Sequence, residues 1–495
     1  MFVRVPAVTS HCTRNAAIRC LRTTSFSLLL FLSLPPVSFR SPQQISDDAR
    51  VYVNQAQDAL AHGHWAEAAA AYEKAVALAP RNANLRVALG VVLGKSGRFT
   101  DAIASYESAL EISPRDLAAE IALAQAYRSV HNNAAAQSLL ERSAREHPKL
   151  AAPLAELGDL DIELQTYDAA IKHLSTAVAL DPAKNETRDR LAVAYKSKGD
   201  SADALAQLSK SLARDPNDAL AHFLRAQIDD DHNQDDRALP EAEKVLALEP
   251  QNLAGRATLG KILLRVSESA GSMAATQGIC SHAADVLKPV ADARPDDSET
   301  LFILARAYRC AGRTDDADKT LAAFEAASKT LRASKENQNQ ALHLVRDANE
   351  RAIQNDFAGA LNLLQQALDK YPDYDAAYSQ LAKLYYSAGD IEKAGDAIAR
   401  AIQLSPYQPD FLYVQGKVFE KQGRLEDALS DFQRAVLVDP KESDAYFEIG
   451  AIYERKNDPD RARAAYEKAI ELSPGDPDYR RALASLAKPG AAPSP

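Results

Sequence analysis

Few residues in this 495-residue chain stand at spacings that do chemistry. Gly90 to Ser96 ends in Gly-Lys-Ser, as a phosphate loop does. A phosphate loop needs four residues between its glycines, whereas three separate Gly90 from Gly94, and no strand-like run precedes them. The stretch therefore reads as the turn that ends a helix. Asp229 to Asp236 gathers carboxylates around His232 and Asn233. A calcium loop would need Gly at its sixth position and Glu at its twelfth; those are Gln234 and Pro240. A solvated turn between helices is the better reading. Asn185-Glu186-Thr187 has the form of a glycosylation sequon but falls at a helix start. The ten histidines are scattered, without His-Glu-x-x-His, and neither Gly-x-Ser-x-Gly nor Cys-x-x-Cys occurs. No catalytic set, metal-ligand set or cofactor is indicated.

What organises the chain is proline. Pro80, Pro114, Pro148, Pro182, Pro216 and Pro250 follow one another at intervals of 34 residues, and Pro372, Pro406, Pro440 and Pro474 resume the same interval. With Pro80 at position 32 of a unit covering residues 49–82, position 20 is alanine in every unit, from Ala68 and Ala102 to Ala428 and Ala462. Position 8 is always Ala or Gly, and position 24 is apolar or Tyr. Position 15 is Gly at Gly63, Gly97, Gly199, Gly312, Gly389 and Gly423, and Asn at Asn233, Asn355 and Asn457. Those residues tolerate the left-handed backbone that ends a helix. Position 34 is often Asn or Asp, as at Asn82, Asp116, Asp218, Asn252 and Asp297, where it can cap the next helix. Each unit thus reads as two helices. Small residues at 8 and 20 let the backbones approach, and larger ones at 7, 11 and 24 fill the space around them.

The pattern resembles the tetratricopeptide repeat family, and of its members an exported bacterial type. Leu89-Gly90, Ala102, Tyr106, Ala109 and Pro114 match the family's Leu-Gly, Ala, aromatic, Ala, Pro order. The resemblance covers twelve units and roughly nine-tenths of the chain. It implies an all-α, right-handed superhelical solenoid with first helices inside the curve.

The units divide the chain. Residues 1–40 carry five arginines and no acid, with an apolar run from Phe26 to Leu34 before Pro35-Pro36. This reads as a secretory leader, since a nine-residue run is too short for a stable membrane span. Residues 41–48 are a linker. Residues 49–331 hold repeats 1 to 8, with an insertion near 267–277 because Pro295 arrives 11 residues late. A polar connector, 332–340, leads to repeats 9 to 12 at 341–476; a capping helix at 477–488 and a disordered tail at 489–495 follow. The leader points to export, to the periplasm or beyond, or to membrane association if it stays uncleaved. Without it the net charge moves from −10 to −15, which argues against nucleic acid. The body keeps only Cys280 and Cys310, at position 17 of repeat 7 and position 13 of repeat 8. Those positions share one edge of adjacent helices, so a disulfide or two separate buried thiols both fit.

Function then rests on binding. In the resembled family the first helices line the concave face, and positions 2, 5, 9 and 12 point into it. In repeats 10 to 12 these positions include Lys383, Tyr386, Tyr413, Lys417 and Phe447. They either bind a ligand or pack on neighbouring helices. As a groove they suit a peptide or extended segment with acidic groups. The expected activity is that of a non-enzymatic scaffold for protein segments or partner helices. A cell-envelope assembly factor, or the recognition subunit of an enzyme complex, is the alternative.

Overall fold

The computed structural model describes residues 46–486. The leader, most of the linker, the last two residues assigned to the capping helix and the tail lie outside these residues. Among them there are 24 helices and no strand. In repeats 1 to 6 the helices are α1 Asp47–Ala61, α2 Trp65–Leu78, α3 Ala83–Lys95, α4 Phe99–Ile112, α5 Leu117–Ser129, α6 Asn133–Glu146, α7 Ala152–Glu163, α8 Tyr167–Leu180, α9 Asn185–Lys198, α10 Ser201–Arg214, α11 Ala219–Asp231 and α12 Asp235–Leu248. The rest are α13 Leu253–Ser267, α14 Met273–Ala293, α15 Ser298–Cys310, α16 Thr314–Ile353, α17 Phe357–Lys370, α18 Asp375–Ser387, α19 Ile391–Leu404, α20 Pro409–Lys421, α21 Leu425–Val438, α22 Ser443–Arg455, α23 Pro459–Leu472 and α24 Pro477–Leu486. The chain falls into two compact units, residues 1–114 and 115–495. Within each, every helix packs on the next.

The repeat positions do the structural work expected of them. All twelve alanines at position 20 are buried. Where position 8 is glycine, the side chain at position 24 occupies the space a Cβ would need: a methyl at Gly90 would lie 2.5 Å from the Tyr106 ring, and one at Gly450 2.6 Å from that of Tyr466. Position 15 has positive φ in eleven repeats, with His131 and Gln165 adopting it as well as the Gly and Asn residues. Asn82, Asp116, Asp218, Asn252 and Asp297 each accept a backbone N–H of the following helix through their side chains. Position 4 has a further role. Arg86, Arg188 and Arg256 donate to the carbonyls of Pro80, Pro182 and Pro250, six residues back, and Nε2 of His222 lies 3.0 Å from that of Pro216.

Repeats 7 to 9 depart from the regular plan. The additional residues of repeat 7 are not chiefly a loop: α14 runs for 21 residues, where the second helices of repeats 1 to 6 have 14, and only residues 268–272 stay outside helix. Cys280 and Cys310 are joined by a disulfide, with Cα atoms 5.7 Å apart. The polar 332–340 stretch is the middle of α16, a single 40-residue helix that serves as second helix of repeat 8 and first helix of repeat 9. With no proline to stop it, the backbone keeps its i→i−4 bonds across the join. Ala317 is buried, and the next buried residue of this helix is Ala341, so the apolar core thins here.

Candidate binding surface

The residues singled out in repeats 10 to 12 lie on α18, α20 and α22. Lys383 is exposed, and Tyr386, Tyr413, Lys417 and Phe447 are half-buried. Tyr413 tilts against Phe432 with ring centroids 5.6 Å apart. Phe447 stacks on Tyr479 of α24 at 5.0 Å and tilts against Tyr466 at 5.5 Å. Tyr413 and Phe447 therefore lean on rings of neighbouring helices while staying half-buried, as Tyr386 is too. Burial raises the phenol pKa of both Tyr386 and Tyr413, and the carboxylate of Glu448 adds to both shifts.

The charges are arranged differently from the sequence reading. Lys417 Nζ lies 2.7 Å from Glu420 Oε2 and 2.8 Å from Glu448 Oε1, and Arg455 Nη2 holds the other oxygen of Glu420 at 2.5 Å. Burial works against the Lys417 cation, but Glu448 and Glu420 outweigh it and hold its pKa above the ordinary value. This lysine is thus neutralised by carboxylates of its own chain. Around the same surface stand Asp410, Glu442 and Asp444. Burial, together with Asp410 and Asp444, pushes Glu442 up to about 7, with Lys383 pulling the other way. Three cations face five carboxylates, which gives the surface a net negative field.

A second charged run crosses the first helices of repeats 3 to 7. Arg128 reaches Glu156 at 3.1 Å and Glu163 at 2.5 Å; Arg190 reaches Asp159 at 2.8 Å and Glu186 at 2.5 Å. Burial pushes Asp159 up to about 7, against the pull of Arg190. Asp229 and Asp230, read as part of a solvated turn, are buried, and Asp230 accepts from Lys261 at 3.1 Å and Arg265 at 2.5 Å. Asn185 donates to Ser211 O at 3.0 Å, and Thr187 of the same sequon is buried. The ion pairs of Arg128, Arg190, Lys261 and Arg265 join neighbouring repeats, and the Asn185 bond holds repeat 5 together.

Successive antiparallel helix pairs, with half-buried aromatics on the first helices of repeats 10 to 12, define a class of repeat scaffold rather than a closed pocket. Family models described as Tetratricopeptide repeat match residues 53–116 and 413–477, and residues 93–157, 161–228 and 352–417. They cover more than half of the chain, and the chain belongs to the tetratricopeptide repeat family. Such repeats serve protein–protein interaction. Among solved structures it is similar to the Cut9–Hcn1 hetero-tetramer of the APC/C, at 14% identity over 89% of this chain and 96% of that one, with a TM-score of 0.29. It is also similar to a tetratricopeptide repeat protein from Parabacteroides merdae, at 19% identity over 52% and 98%, with a TM-score of 0.41. No curated protein matches the chain. Among the described residues no helix is long and apolar enough to cross a membrane.

Proposed function

We propose that the protein is a non-enzymatic scaffold that holds an extended protein segment across the first helices of repeats 10 to 12. The observation that carries this is the row of half-buried aromatics, Tyr386, Tyr413 and Phe447, beside Asp410, Glu442 and Asp444. Aromatic faces give contact area at low entropy cost, and neighbouring carboxylates recognise cations. The segment is therefore basic and apolar, not acidic as Lys383 and Lys417 alone suggested, because Lys417 already has two carboxylate partners.

The test is a crosslinking capture in the protein's own cells, comparing the full chain with an Asp410→Asn, Glu442→Gln double variant. Capture of the principal partner should fall about tenfold, the cost of one lost charge contact of roughly 1.4 kcal/mol. Helix content and melting should be unchanged or improved. Undiminished capture by the double variant would place the binding surface elsewhere.

We also assign the protein to an oxidising compartment. The basic-then-apolar leader supports this, and so does the Cys280–Cys310 bond, since such bonds persist outside the reducing cytosol. Cell fractionation with N-terminal sequencing checks it, and a cytosolic chain starting at Met1 contradicts it.

A further inference from the structure

Glu120 breaks a pattern. It occupies position 4 of repeat 3, where Arg86, Arg188 and Arg256 donate to a proline carbonyl of the preceding turn. A carboxylate has no proton to donate there. Its side chain is instead fully buried, with 0% exposure, a costly place for a charge without a counter-charge. One oxygen, Oε2, accepts from Ser143 Oγ at 2.6 Å. The other, Oε1, has no hydrogen-bond partner.

What faces it is the end of α6. His147 caps that helix, and its Nε2 lies 3.6 Å from Glu120 Oε2, too far for a hydrogen bond. That nitrogen is itself buried and unpartnered. Glu146 brings a second carboxylate, so that one donor atom from each of Glu120, Glu146 and His147 falls within a span of 4.8 Å. Glu146 is a third exposed and lies 3.9 Å from Arg115. A fully buried carboxylate with one unpartnered oxygen, an unpartnered imidazole nitrogen beside it and a partly exposed carboxylate at the rim make an arrangement that a cation completes.

We propose that Glu120, Glu146 and His147 form a divalent metal site, and that its ion is of the zinc class. One imidazole nitrogen with two carboxylate oxygens suits that ion, which takes nitrogen and oxygen ligands at about 2.0–2.2 Å. Tetrahedral ligands at that distance lie on the order of 3.4 Å apart, so the widest separation in the cluster must contract by about 1.4 Å. Glu146, at the last turn of α6, is the side chain free to make that movement. Two carboxylates neutralise the ion, Ser143 orients Glu120 from behind, and the fourth position is left to water. Binding would tie the start of α5 to the end of α6 and stiffen repeat 3. Its role is structural.

The experiment uses the untagged full-length protein with zinc alone as the probe. Chelator-stripped wild type, Glu120→Gln and His147→Gln are titrated by calorimetry and by equilibrium dialysis with metal analysis. The expected result is one zinc per wild-type chain, with affinity weakened at least tenfold in both variants. Zinc should raise the melting temperature of the wild type only. Cobalt in its place should give the intense visible bands of a tetrahedral site, lost in either variant. Equal zinc uptake by all three proteins, or no stoichiometric uptake by the wild type, overturns the assignment. Should Glu120→Gln fail to fold, His147→Gln alone decides the matter, since that residue lies at the helix end.

Discussion

Gly416→Ala tests the packing rule on which every repeat rests. The added Cβ would lie 2.6, 2.8 and 2.9 Å from Cε1, Cδ1 and Cζ of Phe432. Carbon atoms in good contact sit at about 3.5–4.0 Å, so the ring must retreat by roughly 1 Å. Phe432 is completely buried and has no open direction to take. Overpacking of this kind costs about 3 kcal/mol, at the upper end of the usual range. Alanine regains about 1 kcal/mol of helix propensity over glycine, leaving a net loss of about 2 kcal/mol. Adding Phe432→Leu should recover at least about 1 kcal/mol of it, a coupling typical of residues in contact. Buried Ala–Leu pairs already fill the same two positions at Ala124 and Leu140, Ala192 and Leu208, and Ala348 and Leu364. Repeat arrays open locally, so the readout is native-state hydrogen exchange of residues 409–442 alongside the urea midpoint. A Gly416→Ala variant as stable as the wild type or more so, which propensity alone would give, refutes the reasoning. So does strict additivity in the double variant.

Three further outcomes are expected. Gly199 has φ of 97° and nothing within 4 Å of a built Cβ, so Gly199→Ala should lose about 1–2 kcal/mol by backbone strain alone, visible as a lower urea midpoint. Burial, opposed by Arg434, raises Asp431 to about 6; the stability this group contributes is complete below the unfolded carboxylate pKa and is lost as pH climbs through about 6. The melting temperature of Asp431→Asn should accordingly gain on the wild type between pH 4 and pH 7, and a constant difference would count against it. The Cys280–Cys310 bond closes a loop of 30 residues, so a Cys280→Ser, Cys310→Ser variant should be less stable by about 2–4 kcal/mol. Thiol titration of the unfolded, unreduced chain should find neither cysteine free.

The sequence by itself determined the repeat and its internal chemistry. Proline every 34 residues, alanine at position 20, the left-handed residue at 15 and the cap at 34 act within one helix pair, so their spacing along the chain is their spacing in space. A missing proline allows α16 to run on, yet its middle, 332–340, reads from sequence as a polar connector. The tertiary structure decided what crosses between repeats. Glu448 reaches back 31 residues to Lys417 and changes the charge of the candidate surface. Glu120 meets His147 across the two helices of repeat 3, at a distance in sequence that no metal motif uses. Asn132 caps α6 with its side-chain oxygen and donates through Nδ2 to Leu437 O, 305 residues further on. Long polar side chains bend toward whichever charge lies near them. That choice is made by the stacking of neighbouring repeats, which no period in the sequence records.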